Sequence, residues 1–329
     1  MKNKREILIN ANRICIFRTD RIGDMVLTLP MVNALKQINP NAEIHFIISK
    51  YTEPLLKGQP LIGNYYFIEE IINLEIFLKK MNFDVVFFPR PKFYEILATF
   101  RARIPLRVGS AYRLYSILLN HRVKEHRKYG TKSEAEHNLN LISSITGKQY
   151  ELKLIPPIID PQLLQNLREK FNLPEKFVLV HPGGGGSAPK LPIYKFKEIA
   201  SMIANKYNIK IVVTGNEHET ELTNLICQNI ENSINLCNKI SLEQLIAVIY
   251  LSEGIIANST GVIHIAASFD KKIIGFYPNS PRMNSIRWGP ISSKKIILSP
   301  EYNKKKDIDN MELIPLDKIE MAFRTLFIS

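Results

Sequence analysis

Apolar residues along this chain arrive in two alternating rhythms. Arg13-Ile14-Cys15-Ile16-Phe17 is a β-branched, aromatic run of strand length that ends in a turn at Asp20-Arg21-Ile22-Gly23. Met25, Leu29, Val32 and Leu35 then recur at helical spacing as far as Asn39-Pro40, where proline predicts the stop. Further strands are predicted over 43–49 and 83–88. The second half repeats the pattern, with strands over 177–180 and 210–214 and helices over 193–206 and 217–230. A helix over 241–250 follows, with Ser241 as its N-cap and Glu243 in its first turn, and then short apolar strands at 254–257 and 272–276. Strands too apolar to leave one face wet, alternating with helices, predict an α/β protein with parallel sheets covered on both faces.

The alternation is interrupted once. Pro156-Pro157 and Asp160-Pro161 break regular structure, and a new strand-turn-helix series opens at Phe177. The pattern therefore predicts a first domain over 1–155, a linker over 156–175 and a second domain over 176–310. A tail over 311–329 carries a helix from about Leu316 to Phe327, whose apolar face (Leu316, Ile319, Phe323, Phe327) must pack back on the domains. A cleft between two such domains is where a ligand is expected.

Composition narrows the class. Of 329 residues, 45% are hydrophobic and 23% charged, which excludes global disorder. No apolar run reaches the 18 residues of a membrane span. The apolar stretch after the basic start is broken by Asn10, Asn12 and Arg13, so no signal peptide and a cytoplasmic location are expected. Cys15, Cys227 and Cys237 cannot all pair and lack zinc-site spacing, which fits a reducing compartment and no structural metal. The formal net charge of +13 points to a polyanionic partner. The excess is concentrated: Arg101, Arg103, Arg107, Arg113, Arg122, Lys124, Arg127, Lys128 and Lys132 face one acid, Glu125.

Three turns at predicted strand ends hold the candidate chemistry. In Arg18-Thr19-Asp20-Arg21-Ile22-Gly23-Asp24, a helix N-terminus favours an ionised carboxylate and Gly23 permits positive φ or close approach of a ligand; on spacing alone Asp24 reads first as a helix cap. In His181-Pro182-Gly183-Gly184-Gly185-Gly186-Ser187-Ala188-Pro189-Lys190, glycine N–H groups are free to surround an anion and Lys190 adds a charge. Neither the P-loop nor the dinucleotide fingerprint is present. In Asn258-Ser259-Thr260-Gly261-Val262-Ile263-His264, Ser259 or Thr260 is placed to cap a helix and offer donors to a phosphate, with His264 one turn further on.

Those residues resemble the ADP-heptose:lipopolysaccharide heptosyltransferases of glycosyltransferase family 9. The resemblance runs through Ile14–Pro40, His181–Pro192, Val212–Glu221, Ser241–Leu245 and Asn258–Tyr277. The Gly23-Asp24 turn combined with Thr260-Gly261-x-x-His264-x-Ala266-Ala267 is its most specific part. It implies a GT-B fold of two Rossmann-like domains and an inverting, metal-independent transfer of heptose from ADP-heptose to a lipopolysaccharide-core or other envelope glycan. No cofactor is implied beyond the donor substrate. Asp307-x-Asp309, which has the spacing of metal-dependent transferases, lies in a charged tail and is read as coincidental.

By resemblance, Asp24 is the general base and Lys190 stabilises the diphosphate leaving group. Gly23, Gly183, Gly184, Ser187, Glu217, Ser259, Thr260, Gly261 and His264 bind the donor. Arg18, Arg21, Arg113 and Arg122 meet the anionic lipid-linked acceptor, and the basic segment, with Tyr112 and Tyr115, faces it and the inner membrane leaflet. Two positions depart from the family: Ser259 stands where an Asp is usual, and Leu191 where a Trp is usual after the lysine. The alternatives are another GT-B enzyme with a different nucleotide sugar, transferase or epimerase, a catalytically dead family member, or a basic nucleic-acid-binding protein. The last lacks a recognised motif and any interleaving of aromatic with basic residues.

Overall fold

Twelve strands build two sheets in the computed structural model, which describes residues 3–186 and 188–328. The first sheet contains β1 (Arg13–Arg18), β2 (Glu43–Ile48), β3 (Asn64–Phe67), β4 (Val85–Phe88), β5 (Leu106–Ser110) and β6 (His121–Val123). The second contains β7 (Val178–His181), β8 (Ile211–Val213), β9 (Ser233–Asn235), β10 (Gly254–Asn258), β11 (Lys272–Phe276) and β12 (Lys295–Leu298). Their orders are β3-β2-β1-β4-β5-β6 and β12-β11-β10-β7-β8-β9, and every pairing is parallel. Each is the doubly wound Rossmann order. The direction of winding reverses between β1 and β4 in one sheet and between β7 and β10 in the other, and ligands sit at such switch points.

The central strands β1, β4, β7 and β10 are buried almost throughout, as two-sided covering by helices requires. The strands that the apolar pattern does not announce are shorter or more polar: β3, β5, β6 and β9 lie at or next to a sheet edge. One is apolar, β12, an edge strand whose residues are only half-covered.

The chain divides into two compact units. One comprises Met1–Arg127 and Lys132–Ile158; the other comprises Lys128–Thr131 and Ile159–Ser329. The stretch read from sequence as a linker holds a helix, Pro161–Phe171, capped by the Asp160 side chain on the Gln162 N–H. Pro161 begins this helix rather than breaking it, because the first helical position needs no N–H. The helix expected to run unbroken from Met25 is two, Ile22–Val26 and Pro30–Ile38, with Pro30 starting the second. In the second unit the helix Leu316–Phe323 buries Ile319 and Phe323 in the same apolar cluster as Val180, Phe196 and Phe276. Lys195 donates to the Glu312 and Ile314 carbonyls and so holds the approach to that helix.

Candidate active site

In the first unit β1 delivers Arg18, Thr19 and Asp20 to the switch point, and the helix Ile22–Val26 carries Asp24 in its first turn. Asp24 caps nothing. Its carboxylate accepts from Arg18 Nη2, and its side chain keeps 14% of its surface exposed. Burial raises its pKa above the ordinary 3.8. The Arg18 guanidinium opposes that rise, while Asp20 and Glu134 add to it. The helix N-terminus alone suggests an acid held ionised and weakly basic; desolvation makes Asp24 a stronger base than that. Gly23 is buried within the helix and lacks a positive φ.

Arg18 is the first correction. It is 1% exposed and stands between two carboxylates, Asp24 and Asp20, with Nε 3.0 Å from Asp20 Oδ1. A cation so enclosed cannot meet an acceptor from solvent; it orients the two acids instead. Asp20 is tied to Arg90 across the switch point at 3.1 Å, Thr19 donates to Glu95 at 2.6 Å, and Lys92 donates to the Thr19 hydroxyl at 2.7 Å. Behind the Asp24 helix, Thr28 donates to the Asp24 carbonyl and Asn138 donates to the Leu27 carbonyl. Arg127 bridges Glu134 and Asn138, so it is engaged in this network and is not a surface cation. Arg21, Arg113 and Arg122 are exposed. Sequence reading missed Arg90, Lys92, Glu95 and Glu134, because nothing local announces that β4 pairs with β1 or that the helix Glu134–Thr146 packs against the helix Pro30–Ile38.

In the second unit the glycine turn after β7 and the turn after β10 are laced together. Asn258 donates to the Pro182 carbonyl at 2.7 Å and accepts from the Leu191 N–H at 2.9 Å. A carbon substituent on Gly184 would stand 3.7 Å from Lys190 Cε and 3.8 Å from Thr260 Cβ, so these three positions share one small region. Lys190 is exposed, with no ion pair among the described residues. Thr260 holds the N-cap position of the helix Gly261–Ser268 without capping it, contrary to the sequence expectation, and the helix N-terminus is left uncapped by any side chain. Ser259 and Gly261 are half-buried beside it. Ser187 lies outside the described residues.

Three further expectations change. Gly184 does not offer a free N–H: it donates to Glu219 Oε1 at 2.8 Å. The acid at the glycine turn is therefore Glu219, whereas Glu217 is exposed at the start of a 3₁₀ turn. The signal was present in Asn216-x-x-Glu219, a capping box in which Glu219 Oε2 accepts from the Asn216 N–H at 2.9 Å. His264 is 3% exposed, and burial lowers its pKa to about 4, so its ring is neutral and out of reach of a surface ligand. His181, bonded to the Thr214 hydroxyl, is held neutral by burial in the same way. In the tail, Asp309 accepts from the Asn279 and Ser280 N–H groups at 3.0 and 2.9 Å, a structural use of that carboxylate.

Comparison with known proteins agrees with this architecture. A Haemophilus influenzae protein provisionally named a glycosyltransferase is 28% identical, the match covering 96% of each chain. Lipopolysaccharide heptosyltransferase 2 of Salmonella typhimurium is 25% identical over 91% of this chain and 92% of that one. The solved structure of Escherichia coli ADP-heptose lipopolysaccharide heptosyltransferase II matches with a TM-score of 0.78 at 20% identity, covering 95% of this chain and 99% of that chain, so the fold is of the GT-B type. The profile of glycosyltransferase family 9 (heptosyltransferase) matches residues 72–315, most of the chain. The chain, with its two Rossmann-ordered sheets, belongs to glycosyltransferase family 9 and is a glycosyltransferase.

Proposed function

We propose that this glycosyltransferase moves heptose from ADP-heptose to an anionic, lipid-linked saccharide of the lipopolysaccharide core, with inversion at the anomeric carbon and from the cytoplasmic side of the membrane. The names of the relatives supply the donor and acceptor class. No helix among the described residues is long and apolar enough to cross a membrane. The observation that carries the chemistry is Asp24, a half-buried carboxylate whose basicity is raised by desolvation and whose orientation is fixed by Arg18.

Asp24 takes the proton of the acceptor hydroxyl as its oxygen bonds to the anomeric carbon. The bond from that carbon to the diphosphate oxygen breaks in the same step, and the electron pair leaves with the nucleoside diphosphate. Lys190, the Thr260 hydroxyl and the uncapped N–H groups of the helix Gly261–Ser268 receive the charge that grows on the departing phosphate. Arg21, Arg113 and Arg122 remain available to acidic groups of the acceptor.

Thermal unfolding with a panel of nucleoside diphosphates and nucleotide sugars tests the reading on wild type and Lys190→Ala. A ligand at 100 times its Kd adds about 2.7 kcal/mol. Selective stabilisation by ADP or ADP-heptose, lost in the variant, is expected. A preference for another nucleotide replaces the donor, a result the Ser259 departure makes worth watching for. No response to any nucleotide overturns the reading.

A further inference from the structure

The crossover between β5 and β6 exposes more apolar surface than a loop needs. Leu114 is 94% and Ile117 74% exposed, on the 3₁₀ helix Leu114–Leu118. In a 3₁₀ helix residues three apart eclipse one another, so these two side chains stand on the same side. Their neighbours turn inward: Ser116 is buried and bonds the Ala111 carbonyl, and Tyr115 bonds the Pro91 carbonyl. Tyr115 also packs against Phe93, itself half exposed, at 5.8 Å between ring centres, which extends the apolar surface toward the start of the helix Phe93–Arg101. The short helix is braced from below by Arg107, whose Nε donates to the Leu118 carbonyl.

The charges along this crossover are of one sign. From Ala111 to Lys124 there are three cations, Arg113, Arg122 and Lys124, and no acid. All three are exposed, and none makes an ion pair among the described residues. A second strongly exposed apolar pair in the same unit, Ile72 and Ile76, lies among charges of both signs: Glu69, Glu70 and Glu75 with Lys79 and Lys80, and Glu70 and Glu75 are paired with Lys50 and Lys79. An anionic surface is attracted to the first pair and meets no cationic excess at the second.

We propose that the Leu114–Leu118 helix is a membrane-docking wedge, with Leu114 and Ile117 entering the interfacial layer of an anionic lipid bilayer while Arg113, Arg122 and Lys124 contact its headgroups. Apolar insertion and electrostatic attraction add in such binding. The proposal deepens the membrane side of the proposed function. It is nevertheless tested without sugar transfer, so the two stand or fall separately.

The test is co-flotation with vesicles of phosphatidylcholine alone and of phosphatidylcholine with phosphatidylglycerol. Wild type binds the anionic vesicles. The Leu114→Ser/Ile117→Ser variant, altered only at exposed side chains, binds them about tenfold less tightly, and the Ile72→Ser/Ile76→Ser variant binds as wild type. In a second readout, acyl-chain-brominated lipids quench a Leu114→Trp variant beyond the wild-type baseline, which comes from the single tryptophan, Trp288. Three results overturn the wedge: no binding to either vesicle, binding that ignores the double substitution and vanishes only with salt, or a lipid-free dimer that the double substitution dissociates.

Discussion

Burial and Arg18 pull the Asp24 carboxyl in opposite directions, and burial prevails. The consequence is readable in the pH dependence of transfer. With Asp24 as the proposed base, its raised pKa means that it must lose its proton before it can act, so the acid limb of kcat/KM is expected above 3.8. Replacing Arg18 with Gln removes the opposing charge, and the limb should move further up; a limb that stays in place would show that Arg18 does not act on the base. Asp24→Asn should cut turnover by roughly 10²–10⁴-fold while leaving ADP-induced stabilisation intact, as transfer assays and thermal scans on one preparation would report. The same raised pKa has a sign for folding. The native state binds the Asp24 proton more tightly than the unfolded chain, so this group opposes folding increasingly as pH rises from 3.8 through its native value. The Gly-Asp pair was visible in the sequence. Its Arg18 partner was visible too, but in the wrong role, because six residues of spacing do not say whether a side chain points outward or into the fold.

Elements decide which acid reaches the glycine turn. β7 and the 3₁₀ turn Glu217–Glu219 are brought together only when β8 pairs with β7, and then Glu219 fills the space above Gly183. A methyl group on Gly183 would come within 2.0 Å of Glu219 Oε1, so Gly183→Ala must displace that carboxylate and its bond to the Gly184 N–H. The expected cost is about 1–3 kcal/mol, measured by denaturant unfolding. The cost should shrink when Glu219 is already Ala, because the clash then has no partner, and additive costs in this double-mutant cycle would show that the contact carries no energy. At this scale the sequence was legible wherever a local rule applied. Ser241 caps its helix as its position implied, with Gln244 completing the box. The stretch around Pro161 was misread because the same residue that ends one element begins another. Short polar strands such as β6 and β9 carry too few apolar positions for a period-two pattern to register.

At the scale of the whole molecule, the titrating groups do not load the two units equally. In the second unit His181 and His264 are fully buried, each with a pKa lowered from 6.5 to about 4. The unfolded chain binds both protons first as pH falls below 6.5, so stability is lost between 6.5 and 4. At 1.36 kcal/mol per pKa unit each histidine costs roughly 3 kcal/mol by the bottom of that window. In the first unit His45 and His121 are lowered by partial burial, while Asp24 and Glu95, raised by burial, act in the opposite sense. Acid should therefore weaken the second unit more. Trp288 lies in that unit and is the chain's one tryptophan, so urea midpoints followed by its fluorescence should fall steeply from pH 6.5 to 4. A flat midpoint for wild type, or an unchanged slope in His264→Asn, would contradict this account.

The alternation of strands and helices and the three turns at strand ends were determined by the sequence itself. Each rests on local chemistry: a hydrophobic period, a proline or glycine, a cap within four residues. The family motifs are local in the same sense. Tertiary structure decided what those residues face. Strand order put Arg90 and Glu95 beside Asp20 and Thr19, enclosed Arg18 between two acids, set Glu219 rather than Glu217 against the glycines and closed His264 inside the second unit. The same packing left Leu114 and Ile117 outside. Burial and charge pairing depend on neighbours distant in the chain, and those neighbours exist only once the sheets are assembled.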